Sequence, residues 1–166
     1  MDVIRAPWRM EYIDSTKEDK EEECIFCRYP KEMKDIENLL IARGRFTFVM
    51  LNRFPYSCGH LMIVPYRHTS DITSLTQEES TEIFFFIQKS CETLQRAMKT
   101  DGMNIGMNIG KVAGAGIDTH LHVHVVPRWN GDTNFMSVTA ETKVLPERLS
   151  RTREKLWKTW KTSKLP

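Results

Sequence analysis

The sequence predicts one α+β domain, with an antiparallel sheet of about five strands, a long central helix and a C-terminal helix. Three observations predict this class. Short apolar runs separated by turn residues lie between residues 38 and 65, a long amphipathic segment follows them, and two further strand-like runs precede a basic C-terminal segment. The order of strands, helix, strands and helix is typical of α+β domains, and 166 residues are a natural length for a single domain over 1–166.

The first three strands are predicted from apolar runs that polar turns separate. An Arg-Gly-Arg turn divides the first two runs, and residues 53–59 divide the second from the third. Pro65 ends the third run, because proline has no N–H to donate within a sheet. The predicted strands are Asn38–Ala42, Phe46–Leu51 and Leu61–Val64.

The long helix is predicted from Thr76 to Thr100. Thr76 and Glu79 are spaced for a capping box, in which each side chain accepts a hydrogen bond from the other residue's backbone N–H. Apolar residues recur at spacings of three and four and share one face, and Asp101-Gly102 is expected to end the helix. The residues on that face are Ile83, Ile87, Cys91, Leu94 and Met98.

Two strands and a final helix are predicted after the long helix. The repeat MNIG-MNIG at Met103–Gly110 predicts one strand and the alternating segment His120–Pro127 the other, with a turn of small residues at Lys111–Thr119 between them. A basic helix is predicted over residues 146–166, with Pro146 in its first turn. The residues expected to dock this helix are Leu149, Leu156, Trp157 and Trp160.

Charge and composition exclude several classes of protein. The formal net charge is +2, although residues 146–166 carry seven Lys and Arg against two Glu. That cluster is interpreted first as a solvated helix face and second as a surface for a phosphate-rich ligand or partner, and nucleic acid is not expected as a partner. No apolar run is long enough for a membrane span. Four cysteines are too few for a disulfide scaffold, so a cytoplasmic setting is the default, and residues 1–23 are expected to form an N-terminal extension with a polar loop rather than a signal peptide.

Three of the five histidines, His120, His122 and His124, alternate with apolar residues. Because alternate side chains of a strand share a face, these imidazoles are expected to form a row with neighbours roughly 6.5–7 Å apart. A neutral imidazole is a competent nucleophile near pH 7, and a protonated neighbour can act as an acid. The alternatives are a polar strand face without chemistry and a cluster that only binds metal.

The turn before the histidine row is rich in glycine, with Gly110, Gly114 and Gly116. Glycine amides can approach a phosphate closely, because no Cβ stands in the way. A phosphorus centre under nucleophilic attack develops negative charge on its oxygens and requires such donors nearby. The row and the turn together therefore favour chemistry at phosphorus.

The motif H-φ-H-φ-H-φ-φ, in which φ is hydrophobic, resembles that of the histidine triad (HIT) superfamily of nucleotide hydrolases and transferases. The segment from Leu51-Asn52-Arg53 to the GHLMIVP run at 59–65 is also similar to the family, and the resemblance extends from about residue 24 to residue 129. The segments APWRM at 6–10 and PRWNGDTNFM at 127–136 are similar to its diadenosine tetraphosphate phosphorylase and hydrolase branch.

The resemblance implies a role for each site residue. His122 would attack the α-phosphorus of a nucleotide, His124 would contact the leaving group and manage its proton, and the main chain of His120 would fix the tautomer of His122. Water or inorganic phosphate would then resolve the covalent intermediate. The residues implied in nucleotide binding are Asn52 for the ribose, Phe26 and Met50 for adenine, and Asn108, Gly114, Ala115 and Gly116 for the phosphates.

Two positions near this site carry separate expectations. Ile117 stands where the family usually has Ser, Thr or Gln, so the side-chain contact to phosphate expected there is missing. His60 follows Gly59 at the start of a strand and is expected to be a buried, hydrogen-bonded structural residue.

Cys24 and Cys27 have the spacing of one half of a zinc site. No second Cys-x-x-Cys follows, so the other two ligands would be histidines, and zinc-bearing members of the superfamily resemble a site completed by His68 and His120. The zinc would be structural and would connect the N-terminal loop to the sheet. The alternative is a surface Cys-x-x-Cys with unligated thiols.

The resemblance implies an enzyme that cleaves dinucleoside polyphosphates through a nucleotidyl-histidine. The alternatives are a nucleoside phosphoramidase and a nucleotide- or zinc-binding module without turnover. The resemblance also implies a homodimer whose sheets join edge to edge, and neither nucleic acid nor a membrane is expected as a partner.

Overall fold

The computed structural model describes residues 23–132, 147–163 and 165. Within these ranges an open sheet of five antiparallel strands has the order β1-β2-β3-β5-β4, and the predicted α+β class is confirmed. No helix in the described ranges is long and apolar enough to cross a membrane. The strands are β1 (Leu40–Arg43), β2 (Thr47–Leu51), β3 (Leu61–Pro65), β4 (Gly102–Gly106) and β5 (Val123–Arg128), and the helices are α1 (Ile25–Lys31), α2 (Gln77–Met98) and α3 (Leu149–Lys161).

The central strands β2 and β3 are buried along their whole length. Because alternate side chains point to opposite faces of a sheet, both faces must be covered. On one face α2 and α3 cover a core that includes Val49, Ile63, Val125 and Leu156. This face carries most of the large apolar side chains and holds the two long helices against the sheet.

The opposite face of the sheet is covered in part by α1, whose Phe26 packs with Met50 and Met62. Met50 pairs with Met62 across β2 and β3, and Met62 pairs with His124 across β3 and β5. Directly paired side chains lie on the same face, so His124 joins this cluster. We call the face formed by Phe26, Met50, Met62 and His124 the site face.

The long helix begins as predicted. Thr76 is its N-cap, the Glu79 N–H donates to Thr76 Oγ1 at 3.2 Å, and the Thr76 N–H donates to Glu79 Oε2 at 2.8 Å. The predicted capping box is therefore confirmed. The helix ends at Met98, where Lys99 takes the left-handed conformation with φ of 52°, and Gly102 is already the first residue of β4.

Both strands predicted after the helix are shorter than expected. The strand prediction over Met103–Gly110 is wrong in its second half, because the last pair of β4 with β5 joins Gly106 to His124. The prediction over His120–Pro127 is wrong in its first three residues, since β5 begins at Val123. Before that point the Leu121 N–H donates to the carbonyl of Thr69 at 2.7 Å and not to a neighbouring strand.

The C-terminal helix begins at Leu149, three residues later than predicted. Pro146 lies outside the described residues, as do the N-terminal extension up to residue 22 and the similar segment at 133–136. Leu156 and Trp160 are buried in the core as expected. Trp157 is only partly buried, and the Lys161 Nζ lies 3.7 Å from its ring centroid.

Candidate active site

The four side chains assigned to metal binding come together at one end of the site face. Cys24 is the N-cap of α1 and Cys27 lies in its first turn, whereas His68 follows β3 and His120 precedes β5. One ligand atom from each residue lies within 4.8 Å of the other three. Segments distant in the sequence therefore converge on a single point.

Four of the six separations among these atoms fit a tetrahedral zinc site. Nδ1 of His120 lies 3.2 Å from Nδ1 of His68, 3.5 Å from Sγ of Cys24 and 3.6 Å from Sγ of Cys27, and Cys27 Sγ lies 3.3 Å from His68 Nδ1. With Zn–N and Zn–S bonds of usual length, a tetrahedron places two nitrogens about 3.3 Å apart and nitrogen and sulfur about 3.6 Å apart. The donor set and its geometry both fit Zn²⁺.

The tautomer of His120 also suits metal binding. Its Nε2 lies 2.9 Å from the carbonyl oxygen of Pro65, which can only accept a hydrogen bond, so we assign the proton to Nε2 and the lone pair to Nδ1. Burial lowers the pKa of His120 to about 4, only partly offset by this hydrogen bond. The imidazole is therefore neutral near pH 7 and presents Nδ1 to the cysteines and to His68.

His122 is oriented by the backbone carbonyl of His120. Its Nδ1 lies 2.9 Å from the carbonyl oxygen of His120, so Nδ1 carries the proton and Nε2 carries the lone pair. Burial lowers the pKa of His122 as well, which favours the neutral, nucleophilic form. The ring is 7% exposed and packs against Phe26 at a centroid distance of 5.0 Å.

His124 is oriented by His60, which is completely buried. The Tyr56 N–H donates to Nδ1 of His60 at 3.1 Å, so the neutral His60 carries its proton on Nε2. That Nε2 lies 2.9 Å from Nδ1 of His124, which must therefore accept, and the proton of His124 is assigned to Nε2. The ring centroids of His122 and His124 are 4.8 Å apart. A ring with a lone pair on Nε2 therefore lies beside a ring with an N–H donor on Nε2.

Three residues predicted to bind the nucleoside lie around this pair. Asn52 accepts a hydrogen bond from the Phe54 N–H at 2.9 Å, and its Nδ2 lies 3.4 Å from Nδ1 of His60. Met50 is 2% exposed on the site face, and Phe26 is 1% exposed behind His122. The fold thus places Asn52 beside His60 and Phe26 beside His122, whereas Met50 lies two strands from His124 on the same face. Their contacts with a nucleoside stay predictions.

The glycine-rich turn is held by hydrogen bonds of its own. Asn108 Nδ2 donates to the carbonyl of Gly114 at 3.3 Å, and the N–H groups of Gly114 and Ala115 donate to the carbonyls of Lys111 and Gly110 at 2.8 and 3.4 Å. Gly114 has φ of 85°, in the left-handed region that favours glycine. The predicted phosphate contacts of Asn108 and of the amides of Gly114, Ala115 and Gly116 are not tested by this geometry, and Ile117 packs against the site face.

Known proteins share this architecture. A model of the HIT domain matches residues 34–131. The chain belongs to the HIT family. It is 40% identical over 161 residues to the AP-4-A phosphorylase of Mycobacterium tuberculosis. The alignment covers 93% of this chain and 82% of that protein.

Two further HIT proteins are similar over most of their length. The chain is 27% identical over 134 residues to an adenosine 5′-monophosphoramidase of Schizosaccharomyces pombe, covering 76% of this chain and 96% of that protein. A solved structure of a Zn-bound histidine triad family protein from Mycobacterium smegmatis aligns with a TM-score of 0.68 and 26% identity, over 84% of this chain and 94% of that one. The resemblance that the motifs predicted is confirmed.

The sequence did not predict that His60 belongs to the HIT site. His60 is buried and hydrogen-bonded as expected, but its partner is a member of the triad. His60 lies two residues before Met62, and alternate side chains of an extended segment share a face. The sheet register places Met62 opposite His124, so this spacing indicates that His60 lies on the same face as His124. That signal becomes useful only when the pairing of β3 with β5 is known.

Proposed function

We propose that this HIT protein cleaves dinucleoside polyphosphates such as diadenosine tetraphosphate through a nucleotidyl group on His122. The observation that carries the proposal is the pair of tautomers at the site. The His120 carbonyl leaves a lone pair on Nε2 of His122, and His60 leaves a proton on Nε2 of the neighbouring His124. A nucleophile and a hydrogen-bond donor for the leaving oxygen, side by side, are what nucleotidyl transfer requires. The phosphorylase relative at 40% identity supports the same substrate class.

The reaction balances with these two residues. Nε2 of His122 attacks the α-phosphorus, an N–P bond forms, and the bond from phosphorus to the bridging oxygen of the departing ATP breaks. The Nε2–H of His124 donates a hydrogen bond to that oxygen and stabilises the negative charge that the departing ATP carries. Inorganic phosphate or water then loses a proton to solvent and attacks the same phosphorus, and the N–P bond breaks to release ADP or AMP and restore His122.

The nucleotide would lie along the site face. We assign the adenine to the part of the site face around Phe26 and Met50, and the ribose hydroxyls to Asn52. Asn108 and the Gly116 amide would hold the phosphates, whereas the amides of Gly114 and Ala115 would first have to give up their hydrogen bonds within the turn. Their position supports these roles, because Asn52 lies beside His60, and Phe26 packs against His122.

Product analysis tests the reaction. Diadenosine tetraphosphate is incubated with the protein, with and without inorganic phosphate, and followed by ³¹P NMR. We expect ADP and ATP when phosphate is present, as in a phosphorylase, whereas AMP and ATP in both samples would identify a hydrolase. Cleavage of adenosine 5′-phosphoramidate with no cleavage of the dinucleotide would assign the phosphoramidase activity instead. Binding without any turnover would contradict the proposal.

His60 provides a second test of the site. His60→Leu removes the donor to Nδ1 of His124, so we expect kcat/KM for diadenosine tetraphosphate to fall on the order of 10²-fold, because a misplaced catalytic group costs about that much. His60→Gln keeps an N–H at the position of Nε2 and should restore most of the loss. Thermal unfolding of both variants separates this effect from lost stability. Equal activity of the two variants would contradict the assigned role.

We also propose that Cys24, Cys27, His68 and His120 hold a structural zinc ion. The separations of their ligand atoms support it, and so does the Zn-bound HIT structure. When bound, the ion would link α1 to the segments before β5 and after β3 without entering the reaction. Reduced thiols are needed for this, which is consistent with the cytoplasmic setting that we propose.

A homodimer is proposed from the edge of the sheet. Within the described residues β4 pairs only with β5, and all of its residues but one are exposed, with Ile105 at 48%. The other edge differs, because the buried Arg153 of α3 donates to the carbonyl of Leu40 in β1 at 2.9 Å. An unprotected edge strand favours pairing with a second copy.

Sedimentation tests the dimer. We expect a mass twice the 19.4 kDa of one chain, and Ile105→Arg should shift the protein to the monomer mass by placing a charge in the proposed interface. Phe54→Arg, which introduces the same charge at another exposed apolar position, is the matched control and should remain a dimer. A wild-type mass of one chain at micromolar concentration would exclude the interface.

A further inference from the structure

Tyr56 lies beside the catalytic row, in the segment between β2 and β3. Its ring stacks on His60 with a centroid distance of 4.9 Å and an angle of 22°. It also lies 5.8 Å from the ring of His124, at an angle of 49°. The residue is nevertheless 40% exposed, so a large part of this aromatic side chain faces solvent at the edge of the site.

The order of the rings places Tyr56 on the departing side of the reaction. His122 is followed by His124 at 4.8 Å, and His124 by Tyr56 at 5.8 Å. In the proposed function the phosphorus is attacked by His122, and the leaving oxygen accepts a hydrogen bond from His124. The polyphosphate chain beyond that oxygen, which carries the second nucleoside, therefore leaves past His124 toward Tyr56.

The segment that carries Tyr56 is held at both ends. The Asn52 side chain accepts from the Phe54 N–H at 2.9 Å, the Tyr56 N–H donates to His60 at 3.1 Å, and the Ser57 Oγ donates to the carbonyl of Pro127 at 2.6 Å. An aromatic ring fixed in this way loses little conformational entropy when it binds a ligand. It is suited to stacking on a nucleobase, because all nucleobases present a flat aromatic face.

We propose that Tyr56 stacks on the base of the departing nucleoside and so selects dinucleoside polyphosphates over nucleotides that carry a single nucleoside. The inference rests on the proposed function and adds the residue that would recognise the second half of the substrate. A purely structural Tyr56, which only covers His60, would affect all substrates of the site equally. The two roles therefore differ in substrate dependence.

The test compares two substrates with the same phosphate chain. Diadenosine tetraphosphate carries a second nucleoside, and adenosine 5′-tetraphosphate does not. We measure kcat and KM for both with the wild type, Tyr56→Ala and Tyr56→Phe. Tyr56→Ala should lower the ratio of kcat/KM for the dinucleotide to that for the tetraphosphate by roughly 5- to 150-fold, the range expected for loss of one base stack.

The loss should appear mainly in KM, because stacking far from phosphorus is the same in the ground state and in the transition state. Tyr56→Phe keeps the aromatic face and should keep the wild-type ratio. An unchanged ratio in Tyr56→Ala would overturn the inference, whether both activities fall together or neither falls. A wild type that cleaves neither substrate would instead contradict the proposed function, and the subsite with it.

Discussion

Replacing His122 with Ala is expected to abolish covalent labelling of the protein by diadenosine tetraphosphate that carries ³²P at its α-phosphorus, and to lower turnover by at least about 10³-fold. The reason is that the nucleophilic lone pair lies on Nε2 of His122, because Nδ1 donates its proton to the His120 carbonyl in a hydrogen bond. No other imidazole of the row can replace it, since Nδ1 of His120 points to the cysteines and Nε2 of His124 carries a proton. Rapid quenching in alkali, followed by gel electrophoresis, measures the label.

Two comparisons make this result specific. His124→Ala keeps the nucleophile, so it should still take up label, but slowly, because the leaving oxygen loses its hydrogen-bond donor. Thermal unfolding should show that His122→Ala is folded, since His122 precedes β5 and takes part in no strand pairing. Label retained in His122→Ala at the wild-type rate would place the nucleophile elsewhere and remove the basis of the proposed mechanism.

Removing the proposed zinc ion is expected to cost most of the stability that links α1 to the sheet. An ion that binds only the folded chain at 1,000 times its Kd contributes about 4 kcal/mol, which corresponds to a fall in Tm of roughly 8–16 °C for a chain of this size. We expect this fall in Cys27→Ser and in wild type treated with a chelator. Calorimetry measures Tm, and elemental analysis measures one zinc per wild-type chain.

Cys91→Ser is the matched control for the metal site. Cys91 is a partly buried thiol in α2 that packs against the core, so its replacement should leave the zinc content at one ion per chain. Chelation should then lower the Tm of Cys91→Ser as it lowers that of the wild type, and should have no effect on Cys27→Ser. Wild-type protein purified under reducing conditions with no zinc, and with a Tm indifferent to added zinc, would contradict the assignment.

The sequence is sufficient to predict the fold class, because that depends on local periodicity, and the triad motif is sufficient to predict the HIT family. The alternation through Val123 and Val125 places His124 on the face opposite the core, and the capping box at Thr76 fixes the start of α2. The predicted spacing of the imidazoles is less accurate. The rings of His122 and His124 lie 4.8 Å apart, and His120 leaves the row, because it precedes β5 and turns toward the cysteines.

The remaining parts of the site depend on pairing between distant segments. The contact of His60 with His124 joins residues 64 positions apart, and no spacing in the sequence specifies that β3 pairs with β5. Tyr56 lies in a segment without periodicity, and its stacking on His60 follows from the backbone hydrogen bond that it makes there. Such contacts can be found only after the order of strands is known.

The imidazoles of His60 and of the three triad histidines share a property that has consequences for substrate recognition. Each proton position derives from a main-chain group: the Pro65 carbonyl for His120, the His120 carbonyl for His122, and the Tyr56 amide for His60 and, through it, His124. The arrangement is therefore complete before any nucleotide arrives. Binding energy from the sugar and base need not be diverted to rearranging the enzyme and remains for strengthening the bound transition state.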